Sequence, residues 1–173
     1  MDTKEKLQKG NIKYLKNLKS DKNLCLLRDN LAKGQHPEIL VITCSDSRVI
    51  PEQIFSANLG ELFVIRTAGN VINEGELATV EYAIEHLKVK HVVVLAHTHC
   101  GAVHAAIHNE SGKYINPIIK RIQKNISNIK DEIKASCLNV EKEVLFIKEK
   151  FPEYQGTIEA KLFDIESSKV TDI

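Results

Sequence analysis

Three short apolar runs, at residues 39–43, 62–65 and 91–96, constrain this chain more than any other feature of its sequence. Each is rich in β-branched residues and continuous rather than alternating, and each is followed by turn residues or a helical pattern. That is how strands buried on both faces of a parallel sheet read. Between the second and third runs, Leu77, Val80, Ala83, Ile84 and Leu87 recur at helical spacing, supplying the crossover helix that two parallel strands need. The unit expected is βαβ.

The remaining patterns fit around it. Residues 2–33 carry Leu7, Tyr14, Leu15 and Leu18, then Leu24, Leu27 and Leu31 after a break at Ser20 and Asp21, so two helices are expected. A short helix is expected over residues 100–108. Isoleucines at 115, 118, 119, 122, 126, 129 and 133 mark longer amphipathic helices over residues 115–145. Residues 157–165 alternate partly before a turn-like Glu166-Ser167-Ser168, predicting a C-terminal edge strand or hairpin. The fold class is therefore α/β, with about four parallel strands and a C-terminal antiparallel edge strand flanked by helices. One domain is expected over residues 1–173, made of a helical arm (1–33) and an α/β core (34–173), because 173 residues suffice for one buried core.

Charge narrows the choice of partners. Twenty-four basic residues against 23 acidic ones give no field for a polyanion, and a chain with no Trp, five Phe and four Tyr offers little for stacking on bases. Nucleic acid is thus not expected. No apolar run is long enough to span a membrane, and the lysine-rich start lacks a signal-like apolar stretch, so a cytoplasmic protein is expected. In that compartment the four cysteines stay reduced. Cys25 and Cys137 read as small hydrophobes.

The other two cysteines carry chemistry. The segment Cys44-Ser45-Asp46-Ser47-Arg48 begins where the first strand ends, and His97-Thr98-His99-Cys100-Gly101 begins where the third ends. Ligands of α/β sheets bind at those carboxyl ends, and neighbouring first and third strands would bring Cys44, Asp46, His97 and Cys100 together. Two thiolates and an imidazole favour one zinc ion per chain over magnesium or calcium. With three permanent ligands, the fourth place can hold water whose pKa falls from about 15.7 toward roughly 7, giving a nucleophile for a small electrophilic carbon. Two thiolates make a weaker Lewis acid than three imidazoles, so activity should rise toward alkaline pH. Asp46 and Arg48 are spaced to form a bidentate ion pair that holds Asp46 off the metal; with Arg48 displaced, Asp46 becomes the fourth ligand. His99 is worse placed than His97, being adjacent to Cys100. His104 and His108 form a stripe with Cys100 that reads as polar residues on a partly exposed helix. His36, His86 and His91 carry no companion ligands.

Cys-Ser-Asp-Ser-Arg-Val at 44–49 together with His97-x-x-Cys100-Gly101 resembles the signature pair of the β-carbonic anhydrases. Gly34-Gln35-x-Pro37, Phe63-Val64-Ile65-Arg66-x-Ala68-Gly69-Asn70, and Glu81-Tyr82 with Ile84-Glu85-His86-Leu87 are similar to family segments in the same order. The tail at residues 156–170 is similar more loosely. The resemblance implies reversible hydration of carbon dioxide to bicarbonate, with zinc on Cys44, His97 and Cys100, and Asp46 either ligated or paired with Arg48. It further implies that Gln35 hydrogen-bonds substrate from across a subunit interface, that the Gly101 amide orients bicarbonate, and that Phe63, Ala68 and Tyr82 line an apolar pocket. A homodimer, clasped by the N-terminal helices, or a tetramer is implied as well. Ala96 and His99 depart from the pattern, where glycine and a small residue are commoner, and the absence of Trp argues against the inhibitory bicarbonate pocket of some bacterial relatives. Two alternatives stay open: hydrolysis of carbonyl sulfide or carbon disulfide on the same fold, and a closed, non-catalytic zinc protein.

Overall fold

In the computed structural model, which describes residues 2–173, the three apolar runs form strands β1 (Ile39–Cys44), β2 (Leu62–Thr67) and β3 (His91–His97). All three are parallel, and β4 (Thr157–Phe163) continues the parallel set beside β3. A short β5 (Val170–Asp172) closes the edge antiparallel to β4, so the C-terminal segment is a hairpin whose first strand is a full parallel member of the sheet. The strand order is β2-β1-β3-β4-β5. The chain leaves β1 for one side and returns to the other, which makes the crevice between the carboxyl ends of β1 and β3 the point where the winding reverses.

The chain divides into two compact units, one ending at Gln35 and the other running His36–Ile173. The first holds α1 (Thr3–Ser20) and α2 (Lys22–Leu31). The break between them is set by Asp21, whose extended backbone stops α1 and whose carboxylate accepts from the Leu24 amide to cap α2. Leu18 is buried, whereas Leu7, Ile12, Tyr14 and Leu15 of α1 are exposed.

In the second unit, one sheet face buries Leu40, Ile42, Val92, Val94 and Ala96 with α4 (Glu74–Glu81) and α7 (Glu132–Lys150). The other face buries Val41, Val93, Leu95 and Phe163 with Val49 and, at its margin, Ile54 of the four-residue α3 (Pro51–Ile54), a helix the apolar pattern does not announce. The expected crossover stripe is present: Val80, Ala83 and Ile84 are buried. The helix widens to a π turn over Tyr82–His86, however. α5 (Gly101–Ile107) and α6 (Asn116–Ile126) form a third cluster around Val71, Cys44 and Cys100. Of the isoleucine series, Ile119, Ile122 and Ile126 are buried, while Ile115 and Ile133, at the helix starts, are exposed.

Candidate metal centre

Cys44 is the last residue of β1, and its backbone pairs with Thr67 at the end of β2. His97 is the last residue of β3, and Cys100 is the N-cap of α5. Two chain reversals, after β1 and after β3, therefore deliver three donors to one crevice: one ligating atom from each of Cys44, His97 and Cys100 lies within 4.8 Å of the other two, and all three residues are buried. Among the described residues no other trio of such side chains does this.

The donor set fits a tetrahedral ion. The sulfurs of Cys44 and Cys100 are 4.0 Å apart, against about 3.8 Å expected for two thiolates bound at roughly 2.3 Å to one zinc. His97 is 1 % exposed. Its Nδ1 donates to the backbone carbonyl of Thr98 at 2.8 Å, which fixes the proton there and leaves Nε2 as a lone pair. That Nε2 is buried with no hydrogen-bond partner, an expense that a metal ligand explains. The hydrogen bond shared with Cys100 holds the Cys44 thiol below its ordinary range, helped by the amides of Gly69 and Asp46, against the upward push of burial. Cys100 is pushed up by the same sharing and by burial, opposed by the amides of Val103 and Ala102. A divalent cation placed between the two sulfurs would favour both as thiolates.

Asp46 does not join the trio. Arg48 forks onto it, Nε to Oδ1 at 2.9 Å and Nη2 to Oδ2 at 2.7 Å, while the Arg48 amide adds a bond of 2.9 Å to Oδ1. The Arg48 hydrogen bonds hold the Asp46 carboxyl well below the usual carboxylate range. His99 takes the left-handed backbone (φ 57°), turns its carbonyl to Arg48 at 3.1 Å and points its ring to Glu166, away from the trio. His104 pairs with Glu132, and its ring lies 4.1 Å from that of His108.

Further residues fix the crevice, among them Arg66, Gly69 and Asn70 of the segment already noted after the second apolar run. Arg66 reaches from β2 to the carbonyls of Cys44 (3.2 Å) and Asp46 (2.6 Å). Buried Asn70 donates to the Leu95 carbonyl at 2.7 Å, tying the turn after β2 to β3. Gly69, at φ 67°, donates its amide to the Cys44 sulfur at 3.4 Å. Thr98 accepts from the Ile165 amide at 3.0 Å, pinning the turn after β3 to the segment after β4.

The expected pocket residues divide. Ala68 directly follows Thr67, beside Cys44, and Gly101 opens α5 with free space where a Cβ would stand. Phe63 instead pairs in register with Leu40, four positions from Cys44, or about 13 Å along the strand. It sits against Tyr82, ring centroids 6.0 Å apart, at the amino half of β2. Gln35 ends the other compact unit.

Fold and site together define a parallel α/β protein with two cysteines and a histidine at the winding reversal in an arrangement that could hold a metal ion. Residues 39–170 match the family model described as carbonic anhydrase. The chain aligns with β-carbonic anhydrase CafA of Aspergillus fumigatus at 27% identity and a TM-score of 0.84, covering 99% of this chain and 91% of that one. With a Coccomyxa β-carbonic anhydrase solved in complex with acetazolamide, identity is 25% and the TM-score 0.85, over 96% and 84% of the two chains. Among curated proteins, a carbonic anhydrase of Synechococcus elongatus is 55% identical over 83 residues, 44% of this chain and 30% of its own length. Carbonic anhydrase 2 of Mycobacterium tuberculosis is 42% identical over 104 residues, 57% and 50% respectively. The chain thus spans half or less of these curated relatives. It belongs to the carbonic anhydrase family, in its β class.

Proposed function

We propose that this chain is a zinc-dependent carbonic anhydrase that interconverts carbon dioxide and bicarbonate. The observation that carries the reading is the unpartnered, buried Nε2 of His97 facing the sulfurs of Cys44 and Cys100 while Asp46 is withdrawn by Arg48. Cys44, His97 and Cys100 hold one zinc ion per chain. When bound, the ion supplies a Lewis acid that brings a water toward ionisation near neutral pH. Arg48 keeps Asp46 charged and away from the ligand set, so that a position for water and substrate stays available; a closed, non-catalytic site is not favoured by that pairing. Val71 and Val103 pack in one apolar cluster with the two cysteines, which excludes bulk water and strengthens charge interactions at the sulfurs. Ala68 leaves room beside Cys44, and the amide of Gly101 is the donor for bicarbonate.

The proposal extends to assembly. Phe63, distant from Cys44 along the sheet, Tyr82, which packs against it, and Gln35 act on the metal centre of a second copy, in a homodimer or a tetramer built from dimers. Two crystallised relatives from Sordaria macrospora are tetrameric β-carbonic anhydrases. The exposed Leu7, Ile12 and Leu15 of α1 support residues 1–33 as an arm reaching a neighbour, with residues 34–173 as the core domain. No helix among the described residues is long and apolar enough to cross a membrane, and the reading places the protein in the cytoplasm, where two metal-binding thiolates stay reduced.

The test is stopped-flow hydration of carbon dioxide by the zinc-loaded protein at about pH 8.5, where a site with two thiolates should be active. A rapid, zinc-dependent rate that rises with pH is expected. No rate above buffer with one zinc per chain would overturn the reading, and turnover of carbonyl sulfide or carbon disulfide in its place would assign the same fold to the sulfur analogues.

A further inference from the structure

Helix α7 buries a carboxylate that neither the sheet nor the three ligands require. Glu143 is 0 % exposed. Its two oxygens accept a fork from Arg121 on α6, at 2.8 and 2.9 Å, and Oε1 accepts a third bond, from Asn125 at 2.9 Å. Burying such an ion pair is a poor route to stability, since well-packed apolar residues of similar volume commonly do as well or better. The group therefore calls for a role other than holding the two helices together.

The role follows from tracing the hydrogen bonds in order. A carboxylate paired with a guanidinium only accepts, so Asn125 must present its Nδ2 to it. The same Nδ2 donates to Oδ1 of Asn139 at 3.0 Å, which obliges the Asn139 amide to turn its own Nδ2 the other way, onto the carbonyl of Gly69 at 2.8 Å. Gly69 in turn donates its N–H to the Cys44 sulfur at 3.4 Å. One buried charge thus sets how the Asn125 amide is turned, in agreement with the direction that the Gly69 carbonyl demands of Asn139, and the relay runs from α6 and α7 to the residue whose N–H meets the Cys44 sulfur. Gly69 is the residue through which such a relay can act: its left-handed backbone leaves the amide and the carbonyl free of the helices, and Ile122 packs where its side chain would be.

We infer that Glu143 and Asn139 are positioning residues for Cys44: by holding the Gly69 carbonyl they fix the Gly69 backbone, so that the N–H on its other side, in the peptide shared with Ala68, stays aimed at the Cys44 sulfur and tunes how strongly that sulfur donates to the metal. The inference rests on the proposal that Cys44 is a zinc ligand. Partners of this kind, one step behind the ligands, typically contribute about 10- to 100-fold to metal affinity or activity.

The experiment replaces zinc with cobalt(II) and reads the sulfur-to-cobalt charge-transfer band, alongside zinc affinity by competition with a chelator. In the unaltered protein, one cobalt per chain with an intense near-ultraviolet band is expected; its absence would overturn the thiolate site itself, a failure distinct from that of the relay. Glu143→Gln and Asn139→Leu are each expected to move the band to lower energy, because a sulfur deprived of its N–H donor gives up charge more easily, and to change zinc affinity about tenfold or more. Ile147→Val, which loosens α7 without touching the relay, is expected to leave the band in place. If Asn139→Leu fails to fold, Glu143→Gln carries the test alone. A folded Glu143→Gln protein with band position and zinc affinity unchanged overturns the inference, whatever its thermal stability.

Discussion

The guanidinium of Arg48 binds both carboxylate oxygens of Asp46 and also the carbonyl of His99, so a single side chain joins the turn after β1 to the turn after β3 while holding the Asp46 carboxylate to itself. Removing it frees Asp46 without touching Cys44, His97 or Cys100. Arg48→Ala is therefore expected to retain one metal per chain and to lose at least about tenfold in carbon dioxide hydration, equivalent to roughly 1.4 kcal/mol. Arg48→Lys, a point charge without the fork, should fall between. Metal content by atomic emission and rate by stopped flow decide it; a fully active Arg48→Ala protein contradicts the assignment.

Metal removal separates the ligands from the scaffold. The two sheet-face clusters, around Leu40 and Val92 on one side and Val41 and Leu95 on the other, do not include the three ligands. Chelated protein should keep its far-ultraviolet circular dichroism and lose stability by linkage alone, about 2.7 kcal/mol where free zinc had stood at one hundred times its dissociation constant. Cys44→Ser and His97→Ala should behave like the chelated protein and gain no stability when zinc is added back, as thermal melts with and without the ion will show.

Gly69→Ala tests the turn behind Cys44. An added Cβ would lie 2.6 Å from Cδ1 of Ile122, at a φ of +67°. The left-handed backbone costs a residue with a Cβ about 1–2 kcal/mol, and overpacking about 1–3 more. Urea unfolding should report a loss in that combined range. Adding Ile122→Val should recover the packing share and none of the backbone share; full recovery would mean that the backbone is not strained.

What the sequence made legible was local. The strands could be read because buried parallel strands are continuous apolar runs, and the ligands because each stands immediately after such a run, at Cys44 and at His97 with Cys100. Contributions that depend on register or on packing between helices could not be read. Phe63 sits opposite Leu40 rather than Cys44 because pairing begins at Ile39 and Leu62, an alignment that no single strand announces. Asn139 and Glu143 look like the polar side of α7 until α6 packs over them, and Ile115 and Ile133 look like core until their helices prove to begin there. Asn70 and Gly69 belong to a three-residue turn whose φ values of 62° and 67° follow from the strand ends it must join.

The distance between Phe63 and Cys44 makes the assembly testable by complementation. If the Phe63 and Tyr82 rings serve the metal centre of a second copy, a chain carrying Phe63→Ala and Tyr82→Ala still offers an intact ligand set, and a chain carrying His97→Ala still offers intact rings. Each alone should be nearly inactive. Mixed, unfolded and refolded together in equal amounts, they form mixed dimers in about half of all pairings, each with one of its two sites rebuilt from sound parts, so recovery should approach about a quarter of the unaltered rate. If the rings served the ligands of their own chain, every site in every pairing would carry a defect and the mixture would be no more active than its components. Rate against mixing ratio, with the dimer confirmed by light scattering, distinguishes the two arrangements.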